Sequence, residues 1–341
     1  MHRFVYSTRT ACLLLSVCAL SIIAATLRPS TEAKVQPKSA DNDPNLARIA
    51  QLKWYDISTV TNFPTAHGAF GVIFDGANIW VSIQDCVNGN NGTGVMKIRA
   101  ADGAILGSFP TGGCNPFDMA FDGANVWVAN QSDTNISKIR AADGALLATY
   151  NVGAHPVGIA FDGTNIWVAC PEAGVLLKIR VSDGAILNSF PTGGSRPFRA
   201  ICDGTNIWVV NNGSDTVAKI RISDGALLGT FSSGGTHPYA EVFDGTNIWV
   251  TNDISGTVTK IRAADGANLG TFPTGANSDG IAFDGNNIWV ANSFSNTLSK
   301  IRASDGVSLG TFGTGANPAG VVFDGANIWV PNNGGDSISK Y

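Results

Sequence analysis

An eight-residue string, F-D-G-A-N-I-W-V, begins at Phe74 and returns with small exchanges at Phe121, Phe161, Phe243, Phe283 and Phe323, and as C-D-G-T-N-I-W-V from Cys202. It carries Trp80, Trp127, Trp167, Trp208, Trp249, Trp289 and Trp329, spaced 47, 40, 41, 41, 40 and 40 residues apart. A period near 40 means that one supersecondary unit is repeated and stacked around a shared core. That outweighs the two domains a chain of 341 residues would otherwise suggest.

One unit reads H-P-V-G-I-A-F-D-G-T-N-I-W-V-A-C, then G-V-L-L-K-I-R-V-S-D-G-A-I-L-N-S-F-P-T-G. Its apolar runs G-I-A-F, N-I-W-V-A, V-L-L-K-I-R and A-I-L-N-S-F have strand length and are too short for helices. They are separated by D-G-x-N, a polar loop, x-D-G-A and P-T-G-x-x-P. Asp-Gly supplies the positive φ of a tight hairpin, so successive runs pair antiparallel. Only 14% charged residues and 40 glycines agree with many short strands joined by turns. The expectation is an all-β, seven-bladed β-propeller of four-stranded antiparallel blades. The last copy stops at Tyr341 without its fourth run, and residues 56–65 match that run, so the N-terminal strand is expected to complete the seventh blade.

Residues 1–33 read as a secretory signal peptide. Arg3 and Arg9 precede an apolar run over residues 11–25, and small residues surround Glu32. A retained N-terminal anchor is the rival reading. Residues 34–51 are polar and patternless, a disordered linker, and the propeller occupies 52–341. The protein is then secreted, periplasmic or on the cell surface, without a membrane span once the signal is removed, and monomeric. A formal net charge of −4 argues against nucleic acid as a partner. Cys86 and Cys114 both fall on loops of the same expected face and are expected to form a disulfide in an oxidising compartment. Cys170 and Cys202 read as small core residues.

The string P-x-G-I-A-F-D-G-x-N-I-W-V-A-N-x-x-S-x-T-V-x-K-I-R resembles the YVTN-type propeller repeat, and is similar to repeats of the virginiamycin B lyase (streptogramin lyase) group. The resemblance spans 52–341. It implies a metal-assisted elimination opening a cyclic ester, carried by two His and a Glu with Mg²⁺. His237 and Glu241 match part of that set. A Glu-x-His pair is absent, because Gly235, Gly153 and Thr65 stand two residues before His237, His155 and His67. Propeller lactonases imply instead an axial Ca²⁺, for which Glu241, Asp118, Asp279 and Asn277 offer oxygen ligands.

Comparison among the copies isolates residues that break the repeat. Of 22 Lys and Arg, those of the K-I-R slots and those before residue 54 leave only Arg196 and Arg199. The K-I-R charges and the Asp-Gly acids read as solvated edges and turns. Three positions before the Phe of F-D-G the copies carry Gly71, Asp118, Gly158, Arg199, Ala240, Gly280 and Gly320, which marks a crowded place near the axis. Glu241 and Asp279 interrupt the same strand. Further out stand Asn115, His155, Arg196, His237, Asn277 and Asn317, with His67 nearby. Loops leading into the innermost strand share a face with the loops between second and third strands, and that face varies while the Asp-Gly face does not.

The candidate ligand-binding residues are therefore Asp118, Arg196, Arg199, Asp279, Asn115 and Asn277. The catalytic candidates are His237, Glu241 and His155, and the metal candidates are Glu241 and Asp118. An Asp118–Arg199 ion pair plugging the channel is the structural alternative. The functional expectation is a secreted propeller binding a small molecule or extracellular protein on its variable face. The alternative is a lyase or lactonase using Mg²⁺ or Ca²⁺ at the axis.

Overall fold

The computed structural model describes residues 60–84, 86–87, 90–91, 94–153 and 155–341. The expected signal peptide (1–33), the expected linker (34–51) and the expected start of the domain at 52 lie outside these. Seven four-stranded antiparallel sheets form a ring of blades. In blade 2 the strands run from the axis outward as Pro116–Phe121, Asn125–Asn130, Asn135–Arg140 and Leu146–Asn151, and the other blades repeat this order. In the seventh blade, Thr61–Pro64 pairs with Ser337–Lys340, with Thr61 opposite Lys340. Among the described residues no helix is long and apolar enough to cross a membrane.

The repeated string makes each blade by local chemistry. Asp75 accepts the backbone N–H groups of Ala77 and Asn78 through one oxygen, at 2.9 and 2.7 Å, and the indole N–H of Trp80 through the other, at 2.8 Å. The same bond joins each later Trp to its Asp. Burial opposes the charge on Asp75, but the bonds from Trp80 and Asn78 outweigh it and hold the carboxyl below its usual range. The Asp-Gly turn thereby positions the indole that fills the wedge between blades, where Trp80 is fully buried.

The aromatic residue of each outer strand lies against its blade's Trp, as Tyr150 does on Trp127 at 5.6 Å between centroids. Six of the seven also cover the x-D-G turn of the following blade, and Phe312 meets Tyr341 instead. A Cβ on Gly184, at φ 71°, would sit 2.0 Å from the Tyr150 ring, so this glycine serves both the turn and the close approach.

The K-I-R lysines depart from the solvated edge expected from sequence. Lys138 crosses to blade 3, donating to the Val181 carbonyl at 2.8 Å while lying over the Trp127 ring at 5.0 Å. Lys97, Lys178, Lys219 and Lys260 repeat the link, and Lys340 joins blade 7 to blade 1 through the Ala100 carbonyl at 2.9 Å. The lysines are inter-blade bonds with desolvated stems. The arginines behave as expected: Arg99, for example, pairs with Asp102 three residues on, both exposed.

Candidate functional site

The inner strands carry the irregularity that positions the axial residues. In blades 1, 2, 4, 5 and 6 the inner strand holds an extra residue against its partner, as between Pro116 and Met119 or Pro197 and Ala200. This bulge turns the residue three before the F-D-G Phe toward the neighbouring blade. Glycine is required where blades touch there: a Cβ on Gly158 would meet the Phe198 carbonyl oxygen at 2.4 Å, and one on Gly280 the Ala319 oxygen at 2.3 Å. Asp118 and Arg199 occupy the same register with charged side chains.

There they meet. Arg199 Nη1 lies 3.8 Å from Asp118 Oδ1, with both side chains about one-seventh exposed at 14% and 15%. The guanidinium carbon sits 5.4 Å from the Phe117 ring centre and 5.5 Å from that of Tyr239. Phe70, Phe117, Phe198 and Tyr239 form a chain of ring contacts at 4.5–5.5 Å over the hub. Asp118 Oδ2 also accepts the Ile159 N–H at 3.1 Å, tying blade 2 to blade 3.

Charge in this hub is sparsely compensated. Burial lifts the Asp118 carboxyl against the opposing pull of Arg199. Burial lifts Glu241 well above the usual carboxylate range, and neither of its oxygens has a hydrogen-bond partner. Asp279 is pushed up to about 7 by burial, opposed by the Ser293 hydroxyl and reinforced by Asp253. Burial also works against the charge on Arg199, but Asp118, Tyr239, Glu241 and Asp279 outweigh it and raise its proton affinity. Three acids thus act on one guanidinium, and of these Asp118 is in ion-pair contact with it. Among the described residues no three His, Cys, Asp or Glu side chains converge as metal ligands. The hub donor set does not fit the Mg²⁺ or Ca²⁺ expected from the resemblance.

The outer rim is a second, separate level. Asn115, Arg196, His237, Asn277 and Asn317 all have left-handed backbone, at φ 55–60°. Their carbonyls accept N–H groups from the loop between second and third strands, as Gln131 to Asn115 and Asn212 to Arg196, both at 3.0 Å. Asparagine at three of these places is a backbone choice, because it tolerates this conformation. Histidine tolerates it less well. For Arg196 it costs about 1–2 kcal/mol with no compensating preference.

The three rim histidines each face an acid through Nδ1: His67 on Asp336 at 2.8 Å, His155 on Glu172 at 3.4 Å and His237 on Asp253 at 3.1 Å. Sequence reading missed these acids. The signal was available, since Glu172 and Asp253 fall just after the second strand in the two blades whose lead-in loops carry His155 and His237.

His155 and Arg196 line one cleft of about 420 Å³, formed by blades 2, 3 and 4 on the variable face. Gln131 and Ser132 supply one wall, Pro171 and Glu172 another, and Val157 and Phe198 are its apolar lining. Asn115 Nδ2 donates to Gln131 Oε1 at 3.3 Å, which leaves the Gln131 NH₂ group available. The K-I-R arginines and Arg199 all have acid partners, so Arg196 is the one arginine among the described residues without a carboxylate in ion-pair contact. The structure therefore divides the expected constellation. Asp118, Arg199, Glu241 and Asp279 share the hub, His155 and Arg196 share the cleft, and Asn115 and Asn277 shape loops. His237 pairs with Asp253, whose charge also acts on Asp279 of the hub.

Cys114 is disulfide-bonded. Of Cys86 only the backbone is described, in a short hairpin of Cys86–Val87 and Asn90–Asn91. Cys170 is free and buried, whereas Cys202 is free and only half-buried, more open than a core residue.

No protein-family model and no curated protein matches the chain. Solved structures do. A streptogramin B lyase superposes with a TM-score of 0.70 at 16% identity, covering 83% of this chain and 96% of that one. A catalytically inactive virginiamycin B lyase from Staphylococcus aureus, with quinupristin, gives 0.69 at 18% identity over 83% and 98%. A hydrazine synthase from Kuenenia stuttgartiensis gives 0.70 at 18% over 82% and 97%. The chain is thus a propeller similar to that of the streptogramin lyase group. Such different activities on one scaffold leave function to be argued from the site.

Proposed function

We propose that this protein is a secreted binding propeller, without a complete catalytic set, whose variable face takes a small molecule or a segment of an extracellular protein in the cleft of blades 2–4. One observation carries this reading: Arg196 holds an unfavourable backbone conformation at the cleft and has no acid partner there. Strain of this kind persists where the surroundings impose it, and it clusters at ligand contacts. The cleft volume is within the range of small-molecule sites. Secretion draws support from the signal-like residues 1–33 and from the disulfide at Cys114, for which we propose Cys86 as partner.

The lyase or lactonase alternative keeps one specific support, the His237–Asp253 pair. An Asp on Nδ1 fixes the imidazole and leaves Nε2 facing outward, the arrangement of a general base. Its Asp253 also acts on Asp279, but among the described residues no three acid or histidine side chains converge there to hold a cation.

A fragment screen by protein-observed NMR, comparing the wild type with Ser132→Trp, tests the choice. Ser132 is exposed on the cleft wall, so Trp there blocks the cleft without touching the core. Hits that shift cleft resonances and vanish in Ser132→Trp are expected. Hits indifferent to the block, or lactone turnover abolished by His237→Ala, would reverse the preference.

A further inference from the structure

The polar groups around the blade 2–4 cleft are not balanced. Two of them are spent inside the protein: Glu172 faces His155 Nδ1, and the Gln131 amide oxygen accepts from Asn115. What remains is a set of donors, namely the Arg196 guanidinium, the Gln131 NH₂ group and the Ser132 hydroxyl, beside the apolar surfaces of Phe198 and Val157. A guanidinium fork matches a planar two-oxygen anion, and its bonds to such an anion are charge-assisted.

The charge count narrows the ligand. Arg196 is the one fixed cation lining the cleft, and Glu172 faces His155. One guanidinium matches one carboxylate, whereas a dianion such as a phosphate monoester would be left under-neutralised. The neighbouring rings and aliphatic groups then call for an apolar body on the same molecule.

We propose that the cleft binds a monocarboxylate carried on an apolar group, such as the terminal residue of a peptide or a free aromatic acid, with Arg196 as the carboxylate anchor. This rests on the cleft being a binding site and adds the class of ligand. It also accounts for the break in the repeat. Three other copies place asparagine at this backbone position, where it suits the left-handed turn, and blade 4 gives up that fit to present a cation.

The test uses the full chain, two probes and one variant. N-acetyl-phenylalanine carries the carboxylate, and N-acetyl-phenylalanine amide has the same body without the charge. Arg196→Asn installs the residue that the repeat uses elsewhere, so the fold is kept and the melting temperature holds or rises. Titration followed by amide NMR should show the acid shifting cleft resonances at millimolar concentration, about tenfold or more tighter than the amide. Arg196→Asn should bring the acid down to the level of the amide. Equal binding of acid and amide, or a ratio unchanged in Arg196→Asn, overturns the carboxylate assignment while leaving the cleft as a binding site. Failure of both probes to shift cleft resonances overturns the proposed ligand class, while the cleft itself is judged by the fragment screen with Ser132→Trp. A peptide with a free C-terminal phenylalanine, run beside the free acid, separates the two sources of the same chemistry.

Discussion

Asp279→Asn should make the protein more stable at pH 8 and leave it unchanged near pH 4. Asp279 is buried at the hub, and burial holds its carboxyl at about 7 against an ordinary 3.8. The folded state therefore keeps a proton that the unfolded chain releases. Stability from this group is complete below pH 3.8 and is lost as pH rises through 7. A difference of about three decades in proton affinity, at about 1.4 kcal/mol each, sets the loss at about 4 kcal/mol by pH 8. Asparagine keeps the shape and an oxygen to accept the Ser293 hydroxyl bond, but never charges. Urea unfolding at pH 4, 5.5, 7 and 8, followed by fluorescence of the buried tryptophans, measures the difference between the two proteins. Taking that difference cancels the groups that do not act on Asp279, Glu241 included, and leaves its coupling to Asp253 and Arg199. The difference should grow steadily between pH 4 and 7 and level off toward pH 8. A difference independent of pH, or a variant less stable than the wild type at pH 8, would show that burial does not raise the Asp279 carboxyl and would refute the account of the hub.

Two further outcomes follow from the fold. Lys340→Met removes the bond to the Ala100 carbonyl and the contact over Trp329, and should cost about 1–2 kcal/mol. Hydrogen exchange should quicken at the junction of blades 7 and 1, and unchanged exchange there would contradict the role given to the lysines. An unreduced proteolytic digest should yield a peptide joining Cys86 to Cys114, with reduction costing about 2–4 kcal/mol of stability. A Cys114 peptide linked elsewhere would refute the pairing.

The blades were legible because their causes are local. Asp75, Gly76 and Trp80 act within six residues of chain, so a string comparison exposes them seven times over. The same comparison gave the hub, because Asp118, Arg199, Glu241 and Asp279 replace small or apolar residues of the repeat. Its limits were contacts between copies. Lys138 reads as a surface charge until Val181, in the next blade, is placed beside its ammonium group. Asn115 and Asn277 looked like rim ligands because an asparagine needed for left-handed backbone cannot be told from one needed for its amide. Glu172 and Asp253 were hidden in loops whose lengths suggested only variation, although each follows the second strand of a blade whose lead-in loop carries a histidine. The hub and the cleft, merged in sequence into one ring of unusual residues, are separated by the depth at which each position stands along its strand.

The outer strand Thr61–Pro64 begins at the Asp-Gly end of blade 7, opposite Lys340 and next to the terminal Tyr341. Both ends of the described chain thus leave from the back of the disc, while the cleft opens at the front. A surface tether joined at Val60 or at Tyr341 leaves from the rear, and a sensor chip loaded through it presents the cleft to the flowing solution.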